Sequence, residues 1–345
     1  MPKPIRHIAV IRLSALGDVA MTVPTLLAFT CKYPEVKITI VSRPFFEPIF
    51  QNIPNVSFVA VDVNSKHKGI FGMVRLSKEL NNLGVDAVAD LHNVIRSKVL
   101  TFMMPLSGVK CVSIDKGRAA KRALTRRENK VFLQLPSVFE RNAHAFTKLG
   151  FPLDSRSPFF AEKRNIDAQV SSIAGVKSEK WIGIAPFAKH ESKVYPMDLM
   201  KIVVDNLGST AIKVFLFGSG KDEMQILREL ASQHKNVVIT GGQISFEQEL
   251  QLISNLDAML SMDSANAHLA AMFGIPVVTL WGATHPFAGF APYAQPLENC
   301  ILSDRTKYPM LPTSVYGNKT IAGYEHAMRT ISPEVVIDKI NRLIK

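Results

Sequence analysis

The first side chain suited to chemistry is Asp18, in the segment Arg12-Leu-Ser-Ala-Leu-Gly-Asp-Val. An apolar run ends before this segment, Ser14 and Gly17 permit a tight turn, and Asp18 stands where a helix is expected to begin. A carboxylate in that position can take the proton from a hydroxyl nucleophile. It can equally cap the helix by accepting backbone N–H bonds, which is worth about 1 kcal/mol. The local spacing by itself favours capping and leaves a functional role for the carboxylate as the alternative.

A second cluster, Asp263-Ser-Ala-Asn-Ala-His, follows an apolar run and precedes Gly274-Ile-Pro. A helix starting here would present the N–H groups of residues 264–266, which form a ready site for phosphate. His268 would lie one turn inside that helix. The structural alternative is that Asp263 and Ser264 are ordinary caps and that His268 is a core histidine. The spacing does not decide between the two interpretations.

Two further segments could contact a nucleotide diphosphate. The apolar run that ends at Ala185 is followed by Lys189, His190 and Lys193. A lysine there could offset diphosphate charge, although a loop lysine is usually only solvated. Gly218 belongs to Phe217-Gly-Ser-Gly-Lys-Asp-Glu, which has a GxG but lacks the third glycine of the dinucleotide fingerprint and is not a Walker A loop. This turn is a weakly specific nucleotide contact.

A basic tract spans residues 116–130, and Arg118, Lys121 and Arg122 lie within it. Such a cluster binds phosphate groups generally, with Arg96 as a further contributor. It lacks the interleaved aromatic residues on which a single-strand binder stacks bases, so nucleic acid is disfavoured. The alternative is a solvated helix face.

Composition sets the limits on these interpretations. The 345 residues are 47% hydrophobic, which excludes a disordered chain, and 41 basic against 29 acidic residues give a net charge of +12 that favours an anionic partner. Three separated cysteines and the lack of HExxH or paired aspartates indicate a reducing cytoplasm and a site with neither metal nor cofactor. The N-terminus does not resemble a signal peptide, and the apolar runs are shorter than a bilayer span, so membrane contact is expected to be peripheral.

Short β-branched runs alternate with longer amphipathic stretches along the chain, which predicts an α/β fold with parallel sheets. The first series of strands and helices runs from Ile8–Leu13 to a helix over Ser137–Leu149. An irregular stretch from Gly150 to Lys180 is expected to be the interdomain linker. A second series begins at Trp181, and Ser332–Leu343 has the cap, N1 proline and acidic first turn of a closing helix. The pattern therefore predicts two Rossmann-like domains.

The order of these motifs resembles family 9 glycosyltransferases, the lipopolysaccharide heptosyltransferases. The resemblance rests on residues 11–19 with Pro24, and on residues 240–241, 263–271, 274–278 and 282–284. It implies a GT-B fold of two facing Rossmann-like domains with a catalytic cleft between them. Residues 1–165 would bind the acceptor, residues 166–325 would bind the nucleotide-sugar, and residues 326–345 would form a helix packing back on the N-terminal domain.

The resemblance also implies roles for individual residues. Asp18 would be the catalytic base and Lys193 the diphosphate lysine. Other donor contacts would be Asp263, Ser264, Ala265, His268, Gly218 and Thr284, and the acceptor contacts would be Ser14, Gly17, Arg96, Arg118, Lys121 and Arg122. Two departures from the family pattern stand out. Ala265 replaces a frequent glycine, and the Gly218 turn lacks the acidic residue found in members that use ADP-heptose, although Asp222 and Glu223 are near.

The function implied is an inverting, metal-independent transfer of heptose from ADP-heptose to an inner-core lipopolysaccharide acceptor. The enzyme would be cytoplasmic, in peripheral contact with the inner membrane, and would not bind nucleic acid. Two alternatives remain: a nucleotide-sugar epimerase of the same fold, and a non-catalytic polyanion-binding protein suggested by the net charge alone.

Overall fold

The computed structural model describes residues 4–154 and 157–345, which divide by their contacts into two compact units. Unit 1 contains residues up to 117 together with 138–161, and unit 2 contains residues 118–137 and 162–345. Each unit is a parallel β-sheet with connecting helices. The predicted fold class, α/β with two parallel-sheet domains, is confirmed.

Strands and helices follow one another along most of the chain. The strands are β1 (His7–Ile11), β2 (Lys37–Ser42), β3 (Val56–Ala60), β4 (Ala87–Asp90), β5 (Lys110–Ser113), β6 (Trp181–Ala185), β7 (Lys213–Leu216), β8 (Val237–Ile239), β9 (Ala258–Met262), β10 (Val277–Trp281) and β11 (Cys300–Leu302). The helices are α1 (Leu16–Ala20), α2 (Val23–Lys32), α3 (Gly69–Asn82), α4 (Ile95–Met103), α5 (Arg118–Thr125), α6 (Val138–Leu149), α7 (Ala168–Ala174), α8 (Met197–Gly208), α9 (Lys221–Ala231), α10 (Phe246–Ile253), α11 (Ala265–Met272) and α12 (Pro333–Ile344).

The sheet of unit 1 has the strand order β3-β2-β1-β4-β5, with every pair parallel. Its central strand β1 is buried along its whole length, as expected for a strand covered by helices on both faces. In the register, Ile8 lies between Ile38 of β2 and Ala87 of β4. The chain reverses its direction of travel across the sheet beside β1. The loops that follow β1 and β4 therefore meet at the carboxyl edge, where open α/β sheets bind ligands.

Helices cover the two faces of this sheet. The chain moves from β1 to β3 in one direction and from β3 to β5 in the other, so right-handed crossovers put α3 and α4 on the face opposite to α2. Leu76 of α3 and Leu100 of α4 pack into the core under β1 and β4. On the other face α6 packs against α2, where the rings of Phe29 and Phe146 are 4.8 Å apart.

The sheet of unit 2 has the order β11-β10-β9-β6-β7-β8 and is also parallel throughout. Here the direction changes between β6 and β9, so the loops after these two strands lie side by side. Helix α12 packs on α8, and Val336 and Ile340 are buried in the core of this unit. This helix was expected to pack back on the N-terminal domain, but its buried side chains belong to unit 2.

The contacts also divide the chain differently from the predicted boundary at residue 165. Residues 118–137 group with unit 2 although the chain returns to unit 1 at Val138. Lys130 Nζ donates to the carbonyls of Met310 (2.5 Å) and Pro312 (2.6 Å), and the Leu135 N–H donates to the Phe287 carbonyl at 2.9 Å. These long-range bonds attach the segment to unit 2, and sequence patterning does not reveal them.

Within residues 4–154 and 157–345, none of the helices combines the length and apolar character needed to span a bilayer.

Candidate functional site

The loop after β1 holds Asp18 in a defined orientation. Its Oδ2 atom lies 2.5 Å from Arg12 Nη2 and also accepts the Ala15 N–H at 3.4 Å, across a turn whose Ser14–Ala15 peptide is cis. The Asp18 side chain is 31% exposed and that of Arg12 is 10% exposed. Its Oδ1 atom accepts no hydrogen bond from the described part of the chain. One oxygen is thus fixed by a cation while the other is available to a ligand.

Arg12 connects Asp18 to the neighbouring strand. Its Nη1 atom donates to the Leu91 carbonyl at 2.5 Å, just beyond β4, and its own carbonyl accepts the Ser42 hydroxyl at 2.5 Å, at the end of β2. A buried guanidinium is costly unless it is paired and hydrogen-bonded. Asp18 and the Leu91 carbonyl engage its two terminal nitrogens, while Arg12 Nε has no hydrogen-bond partner among the described residues. Arg12 therefore fixes the carboxylate relative to three adjacent strand ends.

His92 is a second titratable side chain at this edge. Asp90 Oδ1 accepts the N–H groups of His92 (2.9 Å) and Asn93 (2.8 Å), which fixes the loop after β4. His92 Nδ1 accepts the Leu13 N–H at 2.9 Å, so the neutral ring carries its proton on Nε2, 3.4 Å from Ser14 Oγ. Burial, followed by the positive charge of Arg12, lowers the pKa of His92 to about 4. The ring is therefore neutral at physiological pH.

The structure brings Ser14, Gly17 and Asp18 together, as their place in one turn predicts, and adds Arg12 and His92. Sequence reasoning missed these two. The polar run Asp90-Leu-His-Asn directly after a predicted strand could have indicated that His92 is a site residue. Placing His92 beside Asp18, however, requires knowing that β4 pairs with β1. Arg96 is half-exposed in the first turn of α4, four residues beyond His92.

In unit 2, three separate loops bring Lys193, Asp263 and Thr284 into one cluster. Lys193 Nζ lies 3.2 Å from Asp263 Oδ2, and the Thr284 hydroxyl donates to the same oxygen at 2.8 Å. The three residues follow β6, β9 and β10, which are neighbours in the sheet. The side chains of Lys193 and Asp263 are largely buried, so their charges interact in a medium of lower dielectric than water.

Close backbone contacts hold the loop of Lys193. A Cβ atom on Gly282 would lie 2.3 Å from the Ser192 carbonyl oxygen, which accepts the Ala283 N–H at 3.1 Å. The Ser192 hydroxyl donates to the Gly317 carbonyl at 2.6 Å, and a Cβ on Gly317 would lie 2.6 Å from Lys193 Cγ. These glycines let three loops approach closely enough to orient the lysine.

The N-terminus of α11 lies beside Asp263. The Ser264 hydroxyl pairs with Ser261 Oγ at 3.0 Å rather than with an N–H of the first turn. Ser264, Ala265 and Asn266 are half-exposed, so their N–H groups and the positive end of the helix dipole are suited to an anion. His268 is buried one turn further on.

The Gly218 turn packs closely on the turn after β8. A Cβ on Gly241 would lie 2.1 Å from the Gly218 carbonyl oxygen. Glu223, in the first turn of α9, closes the Gly218 turn, because its Oε2 accepts the Ser219 N–H at 2.8 Å. The role of Gly218 as a donor contact stays a prediction.

The six residues predicted to bind the acceptor do not share one unit. Arg118 and Arg122 are exposed on α5, whereas Lys121 is buried with its ammonium 3.9 Å from the centre of the Phe290 ring. Helix α5 belongs to unit 2, while Ser14, Gly17 and Arg96 belong to unit 1. All six were expected in the N-terminal domain, and the contacts of α5 correct that assignment for three of them.

The described residues offer no cluster of metal ligands. Among them, no three His, Cys, Asp or Glu side chains group closely enough to hold a metal ion. The cysteines Cys31, Cys111 and Cys300 are free thiols.

Known proteins resemble this chain along most of its length. Lipooligosaccharide heptosyltransferase 2 of Haemophilus influenzae is 25% identical, with 98% of this chain and 99% of that protein covered. Lipopolysaccharide heptosyltransferase 3 of Escherichia coli K12 is 26% identical, with 86% and 87% covered.

Solved structures share the fold. A family 9 glycosyl transferase from Veillonella parvula superimposes with a TM-score of 0.75 at 19% identity, covering 100% of this chain and 98% of the other. Escherichia coli heptosyltransferase WaaC with ADP gives 0.70 at 17% identity, covering 98% and 99%. The family model described as glycosyltransferase family 9 (heptosyltransferase) matches residues 73–318. The chain therefore belongs to glycosyltransferase family 9, and its prediction as a glycosyltransferase is confirmed.

Proposed function

We propose that this chain transfers heptose from ADP-heptose to an inner-core lipopolysaccharide acceptor, with inversion and without a metal ion, at the cytoplasmic face of the inner membrane. The names of its relatives support the substrate class, since they are lipopolysaccharide and lipooligosaccharide heptosyltransferases. Escherichia coli WaaC, which shares the fold, has been solved with ADP and with ADP-2-deoxy-2-fluoro heptose. The observation that carries the mechanism is the geometry of Asp18.

Asp18 is the general base of the proposed reaction. A sugar hydroxyl is a poor nucleophile at neutral pH, so attack on the anomeric carbon is helped by a carboxylate that takes its proton as the bond forms. Arg12 and the Ala15 N–H hold Oδ2, which leaves Oδ1 for the acceptor hydroxyl. A single displacement of this kind inverts the anomeric configuration. The Arg12 contact gives the Asp18 carboxylate a fixed direction.

Lys193 and the N-terminus of α11 stabilise the negative charge that develops on the departing ADP. An ammonium group has three donors, and Asp263 occupies one of those of Lys193. The other two have no partner among the described residues and can donate to the diphosphate, together with the N–H groups of residues 264–266. Preorganised donors at a leaving group commonly contribute about 10²-fold or more to the rate. His268, Gly218 and Thr284 complete the proposed donor contacts.

On the acceptor side, Ser14, Gly17 and Arg96 lie at the same sheet edge as Asp18 and contact the sugar in this proposal. The exposed Arg118 and Arg122 bind acceptor phosphates, since guanidinium groups match phosphate oxygens in pairs. Lys121 supports them by anchoring α5 on Phe290. The protein binds no nucleic acid and needs no cofactor in this scheme.

The proposal is tested first by thermal shift against ADP-, UDP-, GDP- and CDP-sugars, with magnesium or with chelator. ADP-heptose at 100 times its Kd should stabilise the protein by about 2.7 kcal/mol in either condition. Transfer to heptose-free lipopolysaccharide should then continue in chelator, and the product should show inverted anomeric configuration by NMR. Conversion of the donor without any acceptor would indicate an epimerase. Binding of polyanions with no nucleotide-dependent shift would indicate a non-catalytic protein.

A further inference from the structure

Helices α3 and α4 carry a row of large apolar side chains that face solvent. The exposed fractions are 90% for Phe71, 85% for Ile95, 80% for Phe102 and 85% for Leu106, and Ile70 is exposed as well. In α4, Ile95 and Phe102 are seven residues apart and so lie within about 20° of one direction around the helix axis, and Leu106 stands in the 3-10 turn that follows. Isolated exposed apolar residues are ordinary, but a contiguous group marks an interaction surface.

Basic side chains surround these apolar residues. Lys68, Arg75, Lys78 and Lys98 are exposed, and Arg75 and Lys78 follow Phe71 by one and two turns on the same side of α3. Helix α4 contains no acidic residue, and α3 contains only Glu79. Glu79 is already paired, with Lys66 Nζ at 2.7 Å and His67 Nε2 at 3.2 Å. The uncompensated charge of this face is therefore positive.

We infer that the α3–α4 surface, defined by Ile70, Phe71, Ile95, Phe102, Leu106 and their basic neighbours, lies on a lipid bilayer with anionic headgroups. Helices with apolar side chains flanked by Lys and Arg lie in the plane of such an interface, with the apolar residues among the acyl chains and the cations at the phosphates. Attraction to phosphate and burial of apolar side chains act together on this face, which is the combination that an anionic bilayer offers.

This inference rests on the proposed function, because a lipid-anchored acceptor is what would bring the enzyme to a membrane. Both helices begin at the carboxyl edge of the unit 1 sheet, and Ile95 is three residues from His92 in the loop that contacts Ser14. A bilayer touching α4 would thus lie beside the edge that holds Asp18. The surface would place a membrane-embedded acceptor within reach of the base.

The first test measures co-sedimentation with vesicles of phosphatidylcholine containing 30 mol% phosphatidylglycerol. The wild type should bind, and binding should weaken in high salt. Phe71→Ser combined with Phe102→Ser should raise the lipid concentration for half-binding about tenfold or more. The matched control, Val176→Ser with Val335→Ser, removes exposed apolar side chains from unit 2 and should bind as the wild type.

The charge component has its own matched pair. Lys78→Glu on α3 should weaken binding about tenfold or more, since it removes a cation from an anionic surface and puts an anion in its place. Lys148→Glu, on α6 of the opposite sheet face, should leave binding unchanged. Equal effects of the two reversals would overturn the inference, because the attraction would then come from net charge.

Two transfer assays separate this inference from the proposed function. The Phe71→Ser and Phe102→Ser variant should transfer heptose normally to a deacylated, water-soluble acceptor and poorly to the same acceptor embedded in vesicles. If the wild type transferred heptose normally but bound no vesicles, the membrane-binding role of the α3–α4 surface would be refuted and the proposed function would stand. If light scattering showed a wild-type dimer that the variant does not form, and the wild type bound no vesicles, the surface would be an interface with a second copy of this chain. Surface-dependent vesicle binding without transfer would refute only the function.

Discussion

Replacing Asp18 with Asn tests the proposed mechanism most directly, because it removes the base and keeps the size of the side chain. The amide cannot take a proton from the acceptor hydroxyl. Loss of a positioned general base commonly lowers the rate by 10²- to 10⁴-fold. We therefore expect kcat to fall at least about 100-fold, while the affinity for the donor, which the proposal assigns to unit 2, stays within about twofold.

The structure also sets the expected cost in stability. Asp18→Asn weakens the ion pair with Arg12 at 2.5 Å, but Arg12 keeps its bond to the Leu91 carbonyl. Because Asp18 is about one-third exposed, solvent screens the pair, and the loss should be about 1 kcal/mol. Asp18→Ala should cost more, since it also removes the acceptor of the Ala15 N–H.

The assay follows ADP release from ADP-heptose with heptose-free lipopolysaccharide as acceptor, and urea unfolding in parallel. Asp167→Asn is the matched control, because this carboxylate caps α7 by accepting the Val170 N–H at 2.9 Å and lies outside the proposed site. The control should keep both its stability and its kcat, since Asn caps a helix about as well as Asp. If Asp18→Asn transferred heptose at near wild-type rate, Asp18 would be only a helix cap.

Three other predictions concern the donor site and pH. Lys193→Met should lower kcat/KM for ADP-heptose by about 10²-fold. Lys189 is an exposed lysine in the same loop, and Lys189→Met should leave kcat/KM unchanged. Equal losses in the two variants would disprove a specific role of Lys193 at the diphosphate. Gly317 and Gly323 both have a φ near +80°, so replacing either with Ala should lower the free energy of unfolding in urea by about 1 kcal/mol. Only Gly317→Ala, whose Cβ would meet Lys193 Cγ, should also lower kcat/KM. Normal kinetics of Gly317→Ala would contradict this prediction. The pKa of His92 is 6.5 in the unfolded chain and about 4 in the folded protein, so the unfolded state binds more protons as the pH falls below 6.5. The free energy of unfolding should therefore decrease by about 2 kcal/mol between pH 7 and pH 4.5. A His92→Gln variant with the same pH dependence would refute this prediction.

Local patterns in the sequence determined the fold class and the boundaries of many elements. The predicted strand Ile8–Leu13 is β1 at His7–Ile11, and the predicted helix Ser332–Leu343 is α12 at Pro333–Ile344. These agree because hydrophobic periodicity and end caps act between residues close in sequence. The predicted linker Gly150–Lys180 contains α7, which Asp167 caps and the irregular composition of the stretch concealed.

Only the tertiary structure decided which loops act together. Asp18 was evident as a candidate from its turn, but its pairing with Arg12 and the neighbouring His92 depend on β1 lying beside β4. Lys193 and Asp263 are 70 residues apart and meet because β6 lies beside β9. The assignment of residues 118–137 to unit 2 and the solvent exposure of Phe71 and Phe102 have the same origin. Strand order and burial arise from long-range packing, which no window of the sequence contains.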